Sequence, residues 1–301
     1  MTDFSNFSNS LAEAAERAGA SVVRVEARRR MAASGIVWNA EGAAETIIVT
    51  ANHVVRHDEG ISLGLADGSS VAASLVGRDP TTDIAVLKAE AAGLAAPAWV
   101  KSDGLRVGSL VLALGRPGQS VQATLGVISA LGGAWRTGAG GKIERYVQTD
   151  VLMYPGFSGG PLVTADGAVA GMNSSALTRG ASVALPVETL ERVVAALLAH
   201  GKMKRGYLGV GIQPVRLSDA VAEQVGRPAG LLIMNVEAGS PAEAAGLFLG
   251  DTLLAVDGEP VQRPDDLSVL LAGDRVGQSM AVTLVRGGQV LAVDVVIGEK
   301  G

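Results

Sequence analysis

Three short stretches carry the residues that could do chemistry. TANHVV at Thr50 to Val55 supplies His53, DPTTDIAVLK at Asp79 to Lys88 supplies Asp83, and PGFSGGPL at Pro155 to Leu162 supplies Ser158. Each lies beside an apolar run of strand type that can hold it rigidly. A serine hydroxyl is a weak nucleophile at neutral pH, so it needs an imidazole to take its proton during attack on a carbonyl. The imidazole needs a buried carboxylate that fixes its tautomer and stabilises the imidazolium. These roles fall to Ser158, His53 and Asp83 in turn, the inventory of a serine hydrolase. The glycines around Ser158 leave the backbone free for unusual angles. In such a motif the amides of Gly156 and Ser158 face the developing oxyanion, and each preorganised donor contributes about 3 to 4 kcal/mol to lowering the barrier.

The same residues admit competing readings. Asp79 rivals Asp83 as the orienting carboxylate, but it precedes Pro80 and suits a turn, whereas Asp83 abuts the apolar run Ile84 to Leu87. His57 follows His53 at a spacing that on a helix suits a metal. No Glu follows His53, the chain has no cysteine, and the remaining histidine, His200, ends a predicted helix, so no metal site and no cofactor are expected. The glycine-rich segment Gly132 to Lys142 is not a phosphate-binding loop, because Ile143 follows the lysine where Ser or Thr would be required; it reads as a flexible regulatory loop.

The elements that must position these residues are mostly strands. A short helix is predicted from Ser10, its cap, to Gly19, with Leu11, Ala14, Ala15 and Ala18 on one face. Strand signals follow at Ser21 to Arg28, Ile47 to Thr50, Ile61 to Leu65, Ala72 to Val76, Ile84 to Leu87, Ser109 to Leu114 and Gln122 to Ile128, punctuated by Gly, Asp and Pro. Many short strands at this spacing imply an all-β barrel or sandwich. Val187 to His200 reads as a helix. Beyond the basic linker GKMKRG, Ser240-Pro241 opens a short helix ended by Gly246, Asp265 to Leu271 forms another, and Arg286-Gly287-Gly288-Gln289 marks a hairpin.

Composition narrows the function classes. A chain of 301 residues suits two domains, and 48 % hydrophobic content is ample for burial. With 30 acidic against 25 basic residues, there is no electrostatic footprint for nucleic acid or anionic lipid. The basic run Arg28-Arg29-Arg30 is the exception and reads as a solvated strand end or loop. The absence of cysteine removes disulfides and thiol chemistry. No apolar run reaches the roughly 20 residues of a membrane helix. Met1 to Ser10 lacks the basic and apolar regions of a signal peptide, which gives a cytoplasmic expectation, or a periplasmic one should a leader precede it.

The order His, Asp, Ser is that of chymotrypsin-like proteases, and the three stretches followed by the C-terminal segment resemble the HtrA (Deg) family of serine proteases from about Leu11 to Gly298. The resemblance implies a mostly β fold: two barrels, roughly Ser21 to Leu94 and Val107 to Pro186, with the site at their junction, followed by a PDZ domain. The implied domains are a protease domain over 1–200, a linker over 201–206 and a PDZ domain over 207–301. Tyr207-Leu208-Gly209-Val210 resembles the loop whose amides receive a peptide's C-terminal carboxylate, with Leu208 to Ile212 as the strand that accepts the peptide and Leu267, Leu270 and Leu271 walling the groove. Ala181, Ser182 and Val183 match the strand lining the family's S1 pocket, which without an acidic base would reject Lys and Arg and accept small or medium aliphatic residues. Gly132 to Lys142 occupies the place of the family's sensor loop. The implied activity is ATP-independent cleavage of unfolded polypeptides by a homotrimer, with Phe4 and Phe7 as candidate contacts; the alternative is a non-catalytic peptide-binding or chaperone protein on a protease scaffold. Phe157 and Tyr154 stand where the family has Asn. The side chain at 157 should point away from the scissile bond, and since it carries no carboxylate, activation must come from loop ordering.

Overall fold

The structure is a computed structural model; it describes residues 2–29, 31–39, 45–91, 94–178, 180–204, 206–271 and 275–299. The chain divides into two compact units, Met1–Met203 and Lys204–Gly301.

The first unit opens with helix α1, Thr2–Gly19. It starts well before Ser10, whose hydroxyl donates back to the Asn6 carbonyl instead of capping the helix. Ala14 and Ala18 are buried, as the spacing predicts, while Phe4 and Phe7 are exposed. Six strands follow: β1 (Val22–Glu26), β2 (Ala33–Asn39), β3 (Thr46–Ala51), β4 (Ile61–Gly64), β5 (Ser70–Asp79) and β6 (Ile84–Ala89). They close into an antiparallel barrel in the order β1-β2-β3-β6-β5-β4. Closure removes the exposed strand edges that an open sheet would carry. Val23, Val25, Ile36, Ile48, Leu63, Ile84 and Leu87 fill its interior.

A second set follows: β7 (Leu110–Gly115), β8 (Gln122–Gly132), a small ladder of β9 (Trp135–Arg136) and β10 (Lys142–Ile143), then β11 (Tyr146–Thr149), β12 (Pro161–Thr164), β13 (Val169–Ser174) and β14 (Ser182–Pro186). Six of these close a second barrel, β11-β14-β13-β12-β7-β8. The ladder changes the picture of the glycine-rich segment 132–142. It is not a free loop: Trp135 meets Tyr146 edge-on, and the Thr137 hydroxyl donates to the Thr81 carbonyl at 2.6 Å. Helix α2, Val187–His200, buries Leu190, Val193, Val194 and Leu197 in the cluster that includes the first barrel's interior. Gly201 ends it in the left-handed conformation with its amide on the Leu197 carbonyl.

The second unit contains β15 (Gly206–Tyr207), β16 (Val210–Arg216), α3 (Asp219–Val225), β17 (Ala229–Val236), α4 (Pro241–Ala244), β18 (Thr252–Val256), β19 (Glu259–Pro260), α5 (Pro264–Leu270), β20 (Ser279–Arg286), β21 (Gln289–Val296) and β22 (Gly298–Glu299). The main sheet runs β16-β17-β18-β20-β21, so β16 is an edge strand. Ser240 caps α4 by accepting the Glu243 amide, and Gly287 and Gly288, both at positive φ, turn the β20–β21 hairpin. Leu208, Leu231, Ile233, Leu253, Leu267 and Met280 belong to its core.

Candidate active site

The His53 segment is a single 3-10 turn, Asn52–Val54, at the end of β3. His57 lies outside that turn and is exposed, so the two histidines do not share a helix face. Asp83 sits just before β6 at φ 60°, a left-handed position that Asp tolerates better than most residues. There its main-chain carbonyl accepts the Asn52 amide at 3.0 Å, binding the two turns together.

The Asp83 carboxylate is buried and held by three donors. The His53 amide reaches Oδ1 at 2.8 Å, His53 Nδ1 lies 2.8 Å from Oδ2, and the Ser174 hydroxyl donates to Oδ2 at 2.5 Å. An ionised carboxylate only accepts, so Nδ1 carries the proton and Nε2 keeps its lone pair for a substrate-side proton. Asp79, the rival carboxylate, is also buried, yet its oxygens serve the Thr81 amide and hydroxyl and the Thr82 hydroxyl of its own turn. It shapes the approach to Asp83 and leaves the imidazole to its neighbour.

Ser158 lies in the turn before β12. Its hydroxyl is 3.0 Å from the Ser175 hydroxyl, and among the described residues it has no hydrogen bond to His53. His53 and Ser158 nevertheless line one small cleft, of about 290 Å³, together with Arg28 and Met31 from the first barrel and Tyr154, Gly156 and Ser175 from the second. Phe157, in between, is fully buried in the second barrel's core and meets Tyr154 edge-on, so its side chain points away from the cleft. The amides of Gly156 and Ser158 make no hydrogen bond within the described residues, whereas those of Phe157, Gly159 and Gly160 are taken by Tyr154, Asn173 and Phe157 carbonyls. Two unused donors thus lie in the Ser158 turn. A side chain at Gly159 would place its Cβ 2.1 Å from the Ser34 carbonyl, at φ 87°, so only glycine fits there.

Ser34, on β2, ties this turn to the first barrel. Its amide donates to the Ser158 carbonyl at 3.2 Å, its hydroxyl donates to the Gly156 carbonyl at 2.7 Å, and that hydroxyl accepts the Arg116 amide at 2.8 Å. Arg116 is itself buried without a carboxylate among the described residues; its guanidinium donates to the carbonyls of Gly19, Val22 and Gln119, and burial lowers its pKa. It therefore pins the C-terminal end of α1, where a cation is favoured, beside the barrel junction.

Sequence reasoning missed Ser34, Ser174 and Ser175. All three contacts join positions far apart in the chain, and no local spacing announces them. The expected S1 residues are placed differently from the other candidates: Val183 is buried in β14 opposite Ser174, the Ser182 hydroxyl donates to the Val151 carbonyl, and Ala181 accepts from Thr178. None of the three lines the cleft that holds His53 and Ser158.

In the second unit, strand β16 begins at Val210, not Leu208. Leu208 is buried in the core, and the carbonyls of Leu208 and Gly209 accept the amides of Ala242 and Glu237. The Leu208 and Gly209 amides have no partner among the described residues. Gly209, at φ 80°, leaves no room for a Cβ, which would lie 2.2 Å from the Ser240 Cβ. The Tyr207 hydroxyl donates to Glu237, and this bond raises the Tyr207 pKa. Helix α5 packs beside β16; Leu267 and Leu271 are buried in the core, leaving Leu270 half-buried with Val210 and Ile212.

Comparison with known proteins gives the same two parts. The model of the trypsin-like peptidase domain matches residues 33–172 and that of the PDZ domain matches residues 206–297. The chain is 39 % identical over 271 residues to a probable periplasmic serine endoprotease DegP-like of Ectopseudomonas mendocina, covering 88 % of this chain and 56 % of that protein. A protein of the same description from Halomonas elongata is 37 % identical, with 90 % and 57 % covered. The chain thus spans a little over half the length of these relatives. Among solved structures, the HtrA-type protease AlgW with tripeptide is 33 % identical with a TM-score of 0.73, covering 97 % of each chain. The serine endoprotease from Yersinia pestis is 30 % identical with a TM-score of 0.75, covering 97 % of this chain and 98 % of that one. With its two barrels and its PDZ domain, the chain belongs to the HtrA family of trypsin-like serine proteases.

Proposed function

We propose that this protein is an ATP-independent serine endopeptidase of protein quality control, with residues 1–200 as the protease domain, 201–206 as a linker and 207–301 as the PDZ domain. The observation that carries the reading is the contact of Asp83 with His53, which lines one cleft with Ser158. On substrate binding the Ser158 hydroxyl turns from Ser175 to His53 Nε2. It attacks the scissile carbonyl while the imidazole takes its proton, and the Gly156 and Ser158 amides bind the oxyanion. The imidazolium protonates the leaving amine as the C–N bond breaks, leaving an acyl-Ser158 ester. Water, deprotonated by His53, then hydrolyses the ester and restores the hydroxyl.

The PDZ groove beside β16 would read exposed C-termini through the Leu208 and Gly209 amides. Unfolded chains are the proposed substrates, because only extended segments can lie in the cleft, and Ala181 to Val183 are proposed to shape the aliphatic P1 preference from behind it. A homotrimer built through the N-terminal part of the protease domain is proposed by family likeness; light scattering at the mass of one chain would refute it. The names of the curated relatives support a periplasmic address over the cytoplasmic one, testable by cell fractionation.

The pairing of Ser158 with Ser175 instead of His53 is the one observation that favours a non-catalytic peptide-binding role. Casein degradation that disappears in Ser158→Ala, and fluorophosphonate labelling that rises with a hydrophobic C-terminal peptide, support the peptidase. Degradation that survives in Ser158→Ala defeats it.

A further inference from the structure

The loop between β1 and β2 brings a cation into the cleft that the reaction above does not use. Arg28 is half-buried and lines the same cleft as His53 and Ser158; among the described lining residues it is the one permanently charged side chain. Its Nε donates to the Met31 carbonyl at 2.5 Å, which fixes the side chain's course. The rest of the guanidinium has neither a carboxylate nor another hydrogen-bond partner among the described residues. A second arginine is close by: the Arg56 amide donates to the Ala27 carbonyl at 2.9 Å, so its residue adjoins the base of this loop. Burial and the Arg56 charge both lower the Arg28 pKa, so the protein itself leaves the positive charge uncompensated.

A cation fixed at one end and open at the other is a receptor for a planar anion, since guanidinium pairs bidentately with carboxylate. We infer that Arg28 is a specificity-determining residue that favours substrates carrying a carboxylate within a few residues of the scissile bond. The inference rests on the peptidase reading of the cleft and adds a charge preference to it. The carboxylate has two possible sources, an acidic side chain or the end of a peptide chain, and the proposal concerns their shared chemistry.

The test uses the full chain and internally quenched peptides with one aliphatic P1 residue. Asp, Asn or Lys is placed in turn at each position up to three residues from the bond, with C-termini either free or amidated. At one position kcat/KM should rank Asp over Asn over Lys, with roughly a tenfold span between Asp and Lys. Salt near 1 M should shrink that span. Arg28→Gln should collapse the Asp-to-Asn ratio, Arg28→Glu should reverse the Asp-to-Lys order, and Arg28→Lys should keep part of the preference. A preference that persists on amidated peptides assigns an acidic side chain; one seen only with free C-termini assigns the terminal carboxylate. Cleavage indifferent to charge, or a preference unaltered in Arg28→Gln, overturns this inference alone. Failure to cleave any peptide, together with no fluorophosphonate labelling of Ser158, overturns it along with the peptidase reading.

Discussion

Asp83 combines two demands that few residues meet together: a left-handed backbone and a carboxylate that takes three donors while buried. Asparagine keeps the backbone and the size but offers an NH₂ to His53, which forces the proton onto Nε2 and removes the base. Asp83→Asn should therefore fold normally and lose about 10⁴-fold in kcat, since the wrong tautomer has an effect of that order in such triads. A loss under tenfold would show that Asp83 is not the orienting group. Ser175 makes a prediction of the opposite sign. Its hydroxyl competes with His53 for the nucleophile, so Ser175→Ala should raise peptide turnover in the absence of a PDZ ligand by a few-fold, the equivalent of about one net hydrogen bond or less. Unchanged or lower basal turnover would mean that Ser175 does not hold the resting state. The candidate residues His53, Asp83 and Ser158 were readable from sequence because each sits in a short run with its own turn chemistry. Ser175 was not, because what matters about it is only its distance from a residue 17 positions earlier.

At the level of elements, β2 is one of several strands with no counterpart in the sequence reading, and it ties down the Ser158 turn. Ala33, Ser34, Gly35, Ile36 and Val37 of β2 are all buried, so the strand shows no alternation, and its serine and glycine mimic a turn. The start of α1 escapes the sequence reading for a different reason: Phe4 and Phe7 continue the spacing of Leu11, Ala14 and Ala18, but the serines and asparagines between them read as turn residues and make Ser10 look like a cap. Helix α2, by contrast, has a regular apolar stripe with Gly just past its end, and its bounds were clear beforehand. Because Ser34 joins β2 to the nucleophile turn through one hydroxyl, Ser34→Ala should strand the Gly156 carbonyl and the Arg116 amide in a dry site. The expected cost is about 1 to 3 kcal/mol in denaturant unfolding followed by tryptophan fluorescence, with a fall in kcat from a looser turn. A change below about 0.5 kcal/mol, the range of ordinary surface substitutions, would remove β2 from this account.

For the whole molecule, two units with separate cores allow each to be followed on its own. All three tryptophans, Trp38, Trp99 and Trp135, lie in the first unit, so their fluorescence reports it alone while circular dichroism reports both. In the second unit Asp251 and Arg286 form an ion pair whose carboxylate is buried. Asp251 is buried, and Arg286 grips it with Nε on Oδ1 at 2.8 Å and a second nitrogen on Oδ2 at 2.7 Å; the Phe248 amide adds a third donor. Burial pushes the Asp251 carboxyl up, but the Arg286 hydrogen bonds, the Phe248 amide and the Arg286 charge together outweigh it, and its pKa lies below the ordinary value. A carboxylate with a depressed folded pKa contributes its stability above its unfolded pKa, about 3.9, and loses that contribution as pH falls through the lower folded value. The dichroism transition not matched by tryptophan fluorescence should therefore fall in midpoint as pH is lowered through about 3.9 and below. Asp251→Asn should lower that midpoint at pH 7 by a few degrees and flatten its acid dependence, leaving the tryptophan transition in place. If Asp251→Asn keeps the wild-type slope with pH, the acid sensitivity of the second unit arises elsewhere, and the Arg286 pair does not set it.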